Sequence, residues 1–123
     1  MRRLSVMIVD DEAGIRDLFN DVITVRGHQV ICAGSGSEAL DKLRANRVDV
    51  IFLDIRMPNG DGISTLKQIR KLKPMPQVVM ITGSGRRDAV DVAMDLGSSL
   101  CLMKPFSMRD VTGVLDVLEA AAG

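Results

Sequence analysis

Residues 50–54 read Val50-Ile51-Phe52-Leu53-Asp54, an unbroken apolar run rich in β-branched and aromatic side chains that an acid closes abruptly. A run this short, without alternation, suits a strand covered on both faces, as in a parallel sheet between two helical layers. The next residues, Met57-Pro58-Asn59-Gly60-Asp61-Gly62, are dense in turn formers. Ile63, Leu66 and Ile69 then mark a helix that stops near Pro74. Downstream, Val78 to Ile81 is another buried strand, closed by Thr82-Gly83-Ser84-Gly85. Ala89, Val90, Ala93 and Met94 lie on one side of a helix that ends at Gly97. Leu100 to Met103 is the last strand and Lys104-Pro105 its turn. Ser107 caps a final helix whose stripe is Val111, Val114, Leu115 and Leu118.

Upstream the same unit appears twice. Ser5 to Val9 is an apolar strand followed by Asp10-Asp11-Glu12, then Ile15, Leu18, Phe19, Val22 and Ile23 at helical spacing up to Gly27. His28 to Ala33 reads as the second strand. Ser35-Gly36-Ser37-Glu38 carries a capping box that opens a helix with Ala39, Leu40 and Leu43 inward. Five strands alternating with five helices on short loops predict an α/β fold, a doubly wound five-stranded parallel sheet. With five strands the flavodoxin-like order 2-1-3-4-5 is favoured over the dinucleotide-binding type. No linker, repeat or second unit interrupts residues 1–123, so one domain is expected. Ligands in such a fold bind beyond the carboxyl ends of the strands, where strands 1 and 3 meet.

Composition narrows the function. In 123 residues, 46% hydrophobic and 26% charged is globular, and 16 Lys plus Arg against 16 Asp plus Glu leaves no basic field for nucleic acid. Trp and Tyr are absent and Phe numbers 3, so no aromatic platform stacks bases. No apolar run approaches the ~20 residues that span a bilayer, and the amino terminus lacks a signal-peptide core. A cytoplasmic protein that binds neither nucleic acid nor membrane directly is expected. Cys32, Cys101 and His28 lack zinc-site spacing, and both cysteines read as small buried apolar groups. In order 2-1-3-4-5 they stand on opposite edge strands, four spacings or roughly 19 Å apart, beyond the ~7 Å reach of a disulfide. Gly34-Ser35-Gly36 and Gly83-Ser84-Gly85 continue into no phosphate-loop pattern and read as turns.

The chemistry gathers at the strand ends. Asp10 and Asp11 follow strand 1, Asp54 strand 3, Thr82 strand 4 and Lys104 strand 5, so all five meet at one edge of the sheet. Each alone has an ordinary structural explanation as a cap, a backbone bond or a surface charge. Together they do not, because carboxylates 4 Å apart repel by about 4 kcal/mol per pair at an effective dielectric of 20. A hard divalent cation relieves this, since Mg²⁺ takes one or two carboxylates at about 2.0–2.1 Å and leaves positions for phosphate oxygens. Three acids, a cation, a hydroxyl and an ammonium are the parts of phosphoryl transfer onto a carboxylate. Asp54, in the middle of the cluster, is the nucleophile candidate, with Asp10 and Asp11 as metal ligands.

The set Asp10-Asp11, Phe52 to Gly62, Ile81-Thr82-Gly83 and Lys104-Pro105-Phe106 resembles, in order and over almost the whole chain, the receiver domain of two-component response regulators. That resemblance implies a CheY-like signalling switch. Asp54 would accept phosphate from a histidine kinase or histidine phosphotransfer protein, and Mg²⁺ would be held by Asp10, Asp11, Asp54 and the carbonyl of Arg56. Thr82 and Lys104 would contact the phosphoryl group, and Lys104-Pro105 would be a cis peptide, which an X-Pro bond adopts at a cost of about 0.5–1 kcal/mol. A downstream target protein or output domain would read the change, and a phosphorylation-dependent homodimer stays open. The protein would catalyse its own phosphorylation and dephosphorylation without turning over an external substrate.

Two positions depart from the family pattern. Cys101 stands where many receivers carry Tyr or Phe three residues before the lysine, so the usual aromatic that transmits the switch is missing. Arg56, two residues after the nucleophile, is long and cationic, suited to altering the lifetime of an acyl phosphate. Arg86-Arg87 open the fourth helix as solvated charge or a partner contact. Two alternatives remain at this stage. An aspartate-nucleophile phosphatase would carry a second acid at position 56, and Arg56 does not supply it. A pseudo-receiver would be an interaction module that takes no phosphate; the retained site residues speak against it and Cys101 keeps it open.

Overall fold

The structure, a computed structural model, describes residues 3–57, 62–83, 94–95, 97 and 100–122. Its elements are β1 (Ser5–Val9), α1 (Ala13–Val25), β2 (Gln29–Ala33), α2 (Gly36–Ala45), β3 (Val50–Asp54), α3 (Gly62–Ile69), β4 (Gln77–Gly83), β5 (Leu100–Lys104) and α4 (Met108–Ala122). The strands pair in parallel in the order β2-β1-β3-β4-β5, as the alternation of strands and helices predicts. The helix expected through Ala89, Val90 and Ala93 lies outside the described residues, as do Arg86 and Arg87. Beyond it Met94 and Asp95 are helical, and Gly97 takes a left-handed φ of 99°, its N–H bonded to the Met94 carbonyl at 3.1 Å.

Side-chain alternation along the buried strands builds two cores, one on each face of the sheet. Val6 and Ile8 of β1, Val50 and Phe52 of β3, and Val79 and Ile81 of β4 pack with Phe19 of α1 and Leu115 of α4. The opposite face joins Met7, Ile51, Leu53, Val78 and Met80 to Ala39 of α2 and Leu66 of α3. All five residues of β3 are buried, which is why no polar residue interrupts the run before Asp54. The three phenylalanines meet on the α1/α4 side, with Phe19 5.0 Å from Phe52 and 5.5 Å from Phe106 between ring centres. Burying one such ring contributes about 1.5–3 kcal/mol.

Local signals set the ends of the helices. Ser35 Oγ accepts the Glu38 N–H at 3.1 Å and Glu38 Oε1 accepts the Gly34 N–H at 2.9 Å, one residue earlier than the simplest capping box. At the start of α4 the reciprocal pair is complete, Asp110 Oδ2 accepting the Ser107 N–H at 2.9 Å and Ser107 Oγ the Asp110 N–H at 3.2 Å. Gly27, at φ 89°, ends α1.

Several boundaries differ from expectation, β5 among them, which runs on through Lys104. α3 ends at Ile69 rather than near Pro74, because Lys71 and Leu72 bond back three residues, to Gln68 and Ile69, and tighten the chain out of the helix. β4 runs on through Thr82 and Gly83, which pair with Met103 and Lys104 of β5. His28 precedes β2 instead of opening it; its ring is turned inward, and Nδ1 accepts the Leu4 N–H at 3.0 Å. Cys32 and Cys101 lie on the two edge strands and both are free thiols. Among the described residues no helix is long and apolar enough to cross a membrane.

Candidate functional site

β1, β3 and β5 end at the same edge of the sheet and deliver Asp10, Asp54 and Lys104 to one point. Asp10 and Asp54 are buried, at 0% and 2% exposure, although nothing apolar about them favours it. The Lys104 ammonium neutralises them: Nζ lies 3.3 Å from Asp54 Oδ2, 3.4 Å from Asp10 Oδ2 and 3.0 Å from Glu12 Oε1. Asp54 Oδ1 accepts the Arg56 backbone N–H at 2.9 Å, and Asp10 Oδ1 accepts the Glu12 N–H at 2.9 Å. Asp10 Oδ2 is the exception. It is buried and, among the described residues, makes no hydrogen bond and has only the ammonium at ion-pair distance.

These surroundings govern the charge. Burial pushes the Asp10 carboxyl up to about 6, against the Glu12 N–H that pulls the other way. Burial likewise raises Asp54, opposed by the Arg56 N–H and by Lys104. Burial works against the Lys104 ammonium, but the hydrogen bond to Glu12 and the charges of Asp10 and Asp54 outweigh it and hold Lys104 above the usual lysine range.

Asp10, Asp11 and Glu12 can each bring one carboxylate oxygen within 4.8 Å of the other two. With the Glu12 carboxylate held by Lys104, the oxygens of Asp10 and Asp11, including the unbonded Asp10 Oδ2, fit a hard divalent cation. Asp54 stands outside that tight trio, with its Oδ2 on Lys104. Thr82 is buried at the end of β4, and its hydroxyl donates to the Gly83 carbonyl at 3.3 Å rather than to Asp54. The Arg56 side chain is exposed, its backbone N–H being the part that touches Asp54. Lys104-Pro105 is cis, as is Lys73-Pro74.

Sequence reasoning missed two participants. Glu12 sits beside the acid pair in the chain, and that adjacency was the available signal. Arg16 Nη1 donates to the Asp10 carbonyl at 2.8 Å, one helical turn into α1, and the Asp10 N–H bonds the Ala33 carbonyl at 3.1 Å, so the acidic loop is held from both sides. Beside the ammonium an apolar groove of about 430 Å³ opens between α1 and the end of β5, lined by Ile15, Leu18, Gly83, Lys104, Pro105 and Phe106.

Comparison with known proteins agrees with this geometry. The model of the response regulator receiver domain matches residues 6–116. Sporulation initiation phosphotransferase F of Bacillus subtilis is 33% identical over 111 residues, 90% of each chain. The DNA-binding transcriptional regulator NtrC of Klebsiella pneumoniae is 36% identical over 116 residues, 94% of this chain but 25% of that protein. Among solved structures, a CheY-like receiver domain protein from Methanospirillum hungatei superposes with a TM-score of 0.87 at 25% identity, covering 94% of this chain and 92% of that one. The receiver domain of the Francisella response regulator 1452 does so with a TM-score of 0.87 at 28% identity, covering 98% and 100%. A buried aspartate at the end of the central strand, two acids at the end of its neighbour, a lysine reaching both and the match along 6–116 lead to one conclusion: the chain belongs to the response regulator receiver domain family.

Proposed function

We propose that this protein is a phosphorylation-dependent switch in which Asp54 accepts a phosphoryl group from a histidine kinase or histidine phosphotransfer protein and partner affinity changes as a result. The observation that carries the reading is the Lys104 ammonium 3.3 Å from Asp54 Oδ2 and 3.4 Å from Asp10 Oδ2, beside the adjacent acids Asp10 and Asp11 that can hold a cation. Oδ2 attacks phosphorus while Oδ1 stays on the Arg56 N–H. The O–P bond forms as the donor's N–P bond breaks, and the leaving nitrogen keeps the electron pair and takes up a proton. Lys104 then pairs with a phosphoryl oxygen. Thr82 donates to another once its hydroxyl leaves the Gly83 carbonyl.

Asp10 and Asp11, with Asp54 and the Arg56 carbonyl, are the groups that would hold Mg²⁺, which when bound supplies charge neutralisation at the phosphoryl oxygens. The donor's histidine approaches over the apolar groove beside Lys104. Water attack on the acyl phosphate regenerates the acid, so the protein acts on itself and turns over no external substrate. A phosphoryl group adds about two negative charges, and moving a population from 1:99 to 99:1 takes about 5.5 kcal/mol, toward which the Lys104 and Thr82 contacts contribute.

Cys101 favours a second reading, an interaction module that takes no phosphate. It stands on the edge strand β5 at the position of the family's usual aromatic, partly buried against the core on the α2/α3 face of the sheet. Intact-mass measurement after incubation with phosphoramidate and Mg²⁺ tests both. Addition of one phosphoryl group to the wild type and none to Asp54→Asn supports the switch, and no addition to the wild type supports the module.

A further inference from the structure

Among the described residues the carboxylate closest to the Lys104 ammonium is that of Glu12, at 3.0 Å, nearer than either buried aspartate. Glu12 occupies the N-cap of α1 in an extended conformation, a place where Ser, Thr, Asp or Asn commonly caps the helix with its side chain. Here the side chain makes no cap bond. It reaches instead across to the end of β5, 92 residues away in the chain. The Glu12 backbone is fixed independently, since its N–H donates to Asp10 Oδ1 and its carbonyl accepts from Ile15 and Arg16. The carboxylate can therefore leave Lys104 without disturbing the helix start.

Resting on the reading of Asp54 as phosphoryl acceptor, we propose that Glu12 is a positioning residue that parks Lys104. It holds the ammonium in the unphosphorylated protein and must surrender it when the phosphoryl group arrives, so it slows phosphoryl uptake. Two effects point the same way. The ion pair must be given up before Lys104 can serve the phosphoryl oxygens, and the exposed carboxylate at the mouth of the site repels an anionic donor. A pair so open to water supplies a modest effect, about two- to fivefold in rate.

The test compares wild type, Glu12→Gln and Glu12→Ala in three measurements. Phosphoryl uptake from phosphoramidate with Mg²⁺, followed by intact mass, is expected to be about two- to fivefold faster in both variants, the gain shrinking as salt screens the pair. Solvent exchange of the Lys104 ammonium protons, followed by ¹⁵N NMR in the unphosphorylated protein, is expected to quicken in both variants, and a merely structural role would not produce this with an unchanged melting temperature. Mg²⁺ titrated by calorimetry is expected to bind all three proteins within about twofold. Unchanged or slower uptake, or unchanged Lys104 exchange, overturns the parking role, and so does Mg²⁺ affinity falling about tenfold, which would make Glu12 a metal ligand. If the wild type takes up no phosphate, the acceptor reading fails and the parking role with it. Wild-type uptake with indifferent variants defeats the parking role alone.

Discussion

Gly62 lies so close under the end of β3 that a methyl group built on it would sit 2.2 Å from the Asp54 carbonyl oxygen and 2.5 Å from the Ile55 Cα. The Gly62 N–H also donates to the Ile55 carbonyl at 2.7 Å, so the first residue of α3 is fastened against the end of β3. Both neighbours in the way are backbone, and neither can rotate aside. Alanine inside a helix is ordinarily worth up to about 1 kcal/mol over glycine, but here overpacking reverses the sign, and Gly62→Ala should destabilise by about 1–3 kcal/mol. Urea unfolding measures this. The displaced Asp54 should also take up phosphate more slowly, and a variant as stable as wild type would refute the close approach.

The unbonded Asp10 Oδ2 makes a metal-linked prediction. Burial raises the Asp10 carboxyl from 3.8 to about 6, so the folded protein holds this proton more tightly than the unfolded chain does. Metal-free stability should therefore fall as pH rises through that window. At neutral pH the ionised group is a liability, and Asp10→Asn should raise metal-free stability by about 1–3 kcal/mol. Divalent binding inverts the comparison: at a hundredfold over its Kd, Mg²⁺ should add about 2.7 kcal/mol to the wild type and much less to the variant. Thermal melts with and without Mg²⁺ test both halves. A variant that melts lower than wild type in chelator counts against the uncompensated charge.

A second ionic centre, at the opposite end of the sheet, fastens α4. Asp116 and Glu119 both bind the Arg26 guanidinium, and Glu119 Oε2 is 2.7 Å from His28 Nε2. With Nδ1 accepting the Leu4 N–H, Nε2 carries the proton and donates to Glu119. The Arg26 hydrogen bond holds the Glu119 carboxyl down to about 2, from 4.5. A depressed carboxylate contributes stability that is complete above its unfolded value and lost as pH falls from 4.5 toward 2. Glu119→Gln should lose about 1–2 kcal/mol at pH 7 and flatten the acid limb of the stability curve. Chemical unfolding at pH 7 and pH 3 measures the difference, and an equal deficit at both would remove the linkage.

How far these features were legible depends on which level of structure carries them. Strand positions follow from apolar runs such as 50–53, and the sheet order follows from strict alternation, so the meeting of Asp10, Asp54 and Lys104 is legible in the sequence alone. The separation of Cys32 and Cys101 onto opposite edges followed from the same order. Side-chain direction could not be read. Nothing in spacing says that Glu12 turns to Lys104 instead of capping α1, or that the Thr82 hydroxyl bonds Gly83. The Arg26–Glu119 pair joins residues 93 apart through the packing of α1 on α4, which periodicity predicts as a face but not as a register. The early end of α3 is a balance between an i−4 and an i−3 hydrogen bond, too small a difference for residue pattern to decide.

Arg56 separates backbone from side chain at one position. Its N–H holds Asp54 Oδ1 at 2.9 Å, a contact that any residue other than proline retains, while the guanidinium is exposed and long enough to reach over Asp54. Arg56→Asn therefore leaves Asp54 in place and removes only the charge and the reach. A cation beside an acyl phosphate stabilises the dianion and crowds the path of the attacking water, so its loss should shorten the phosphoryl lifetime. The expected change is about two- to fivefold, the scale of one exposed charge. Decay of the phosphorylated mass after donor removal, compared among wild type, Arg56→Asn and Arg56→Lys, measures it. Lysine should restore part of the lifetime if charge is responsible and none if the planar guanidinium shields the phosphorus. Equal decay in all three would leave Arg56 a solvated surface residue whose contribution to the site ends at its backbone.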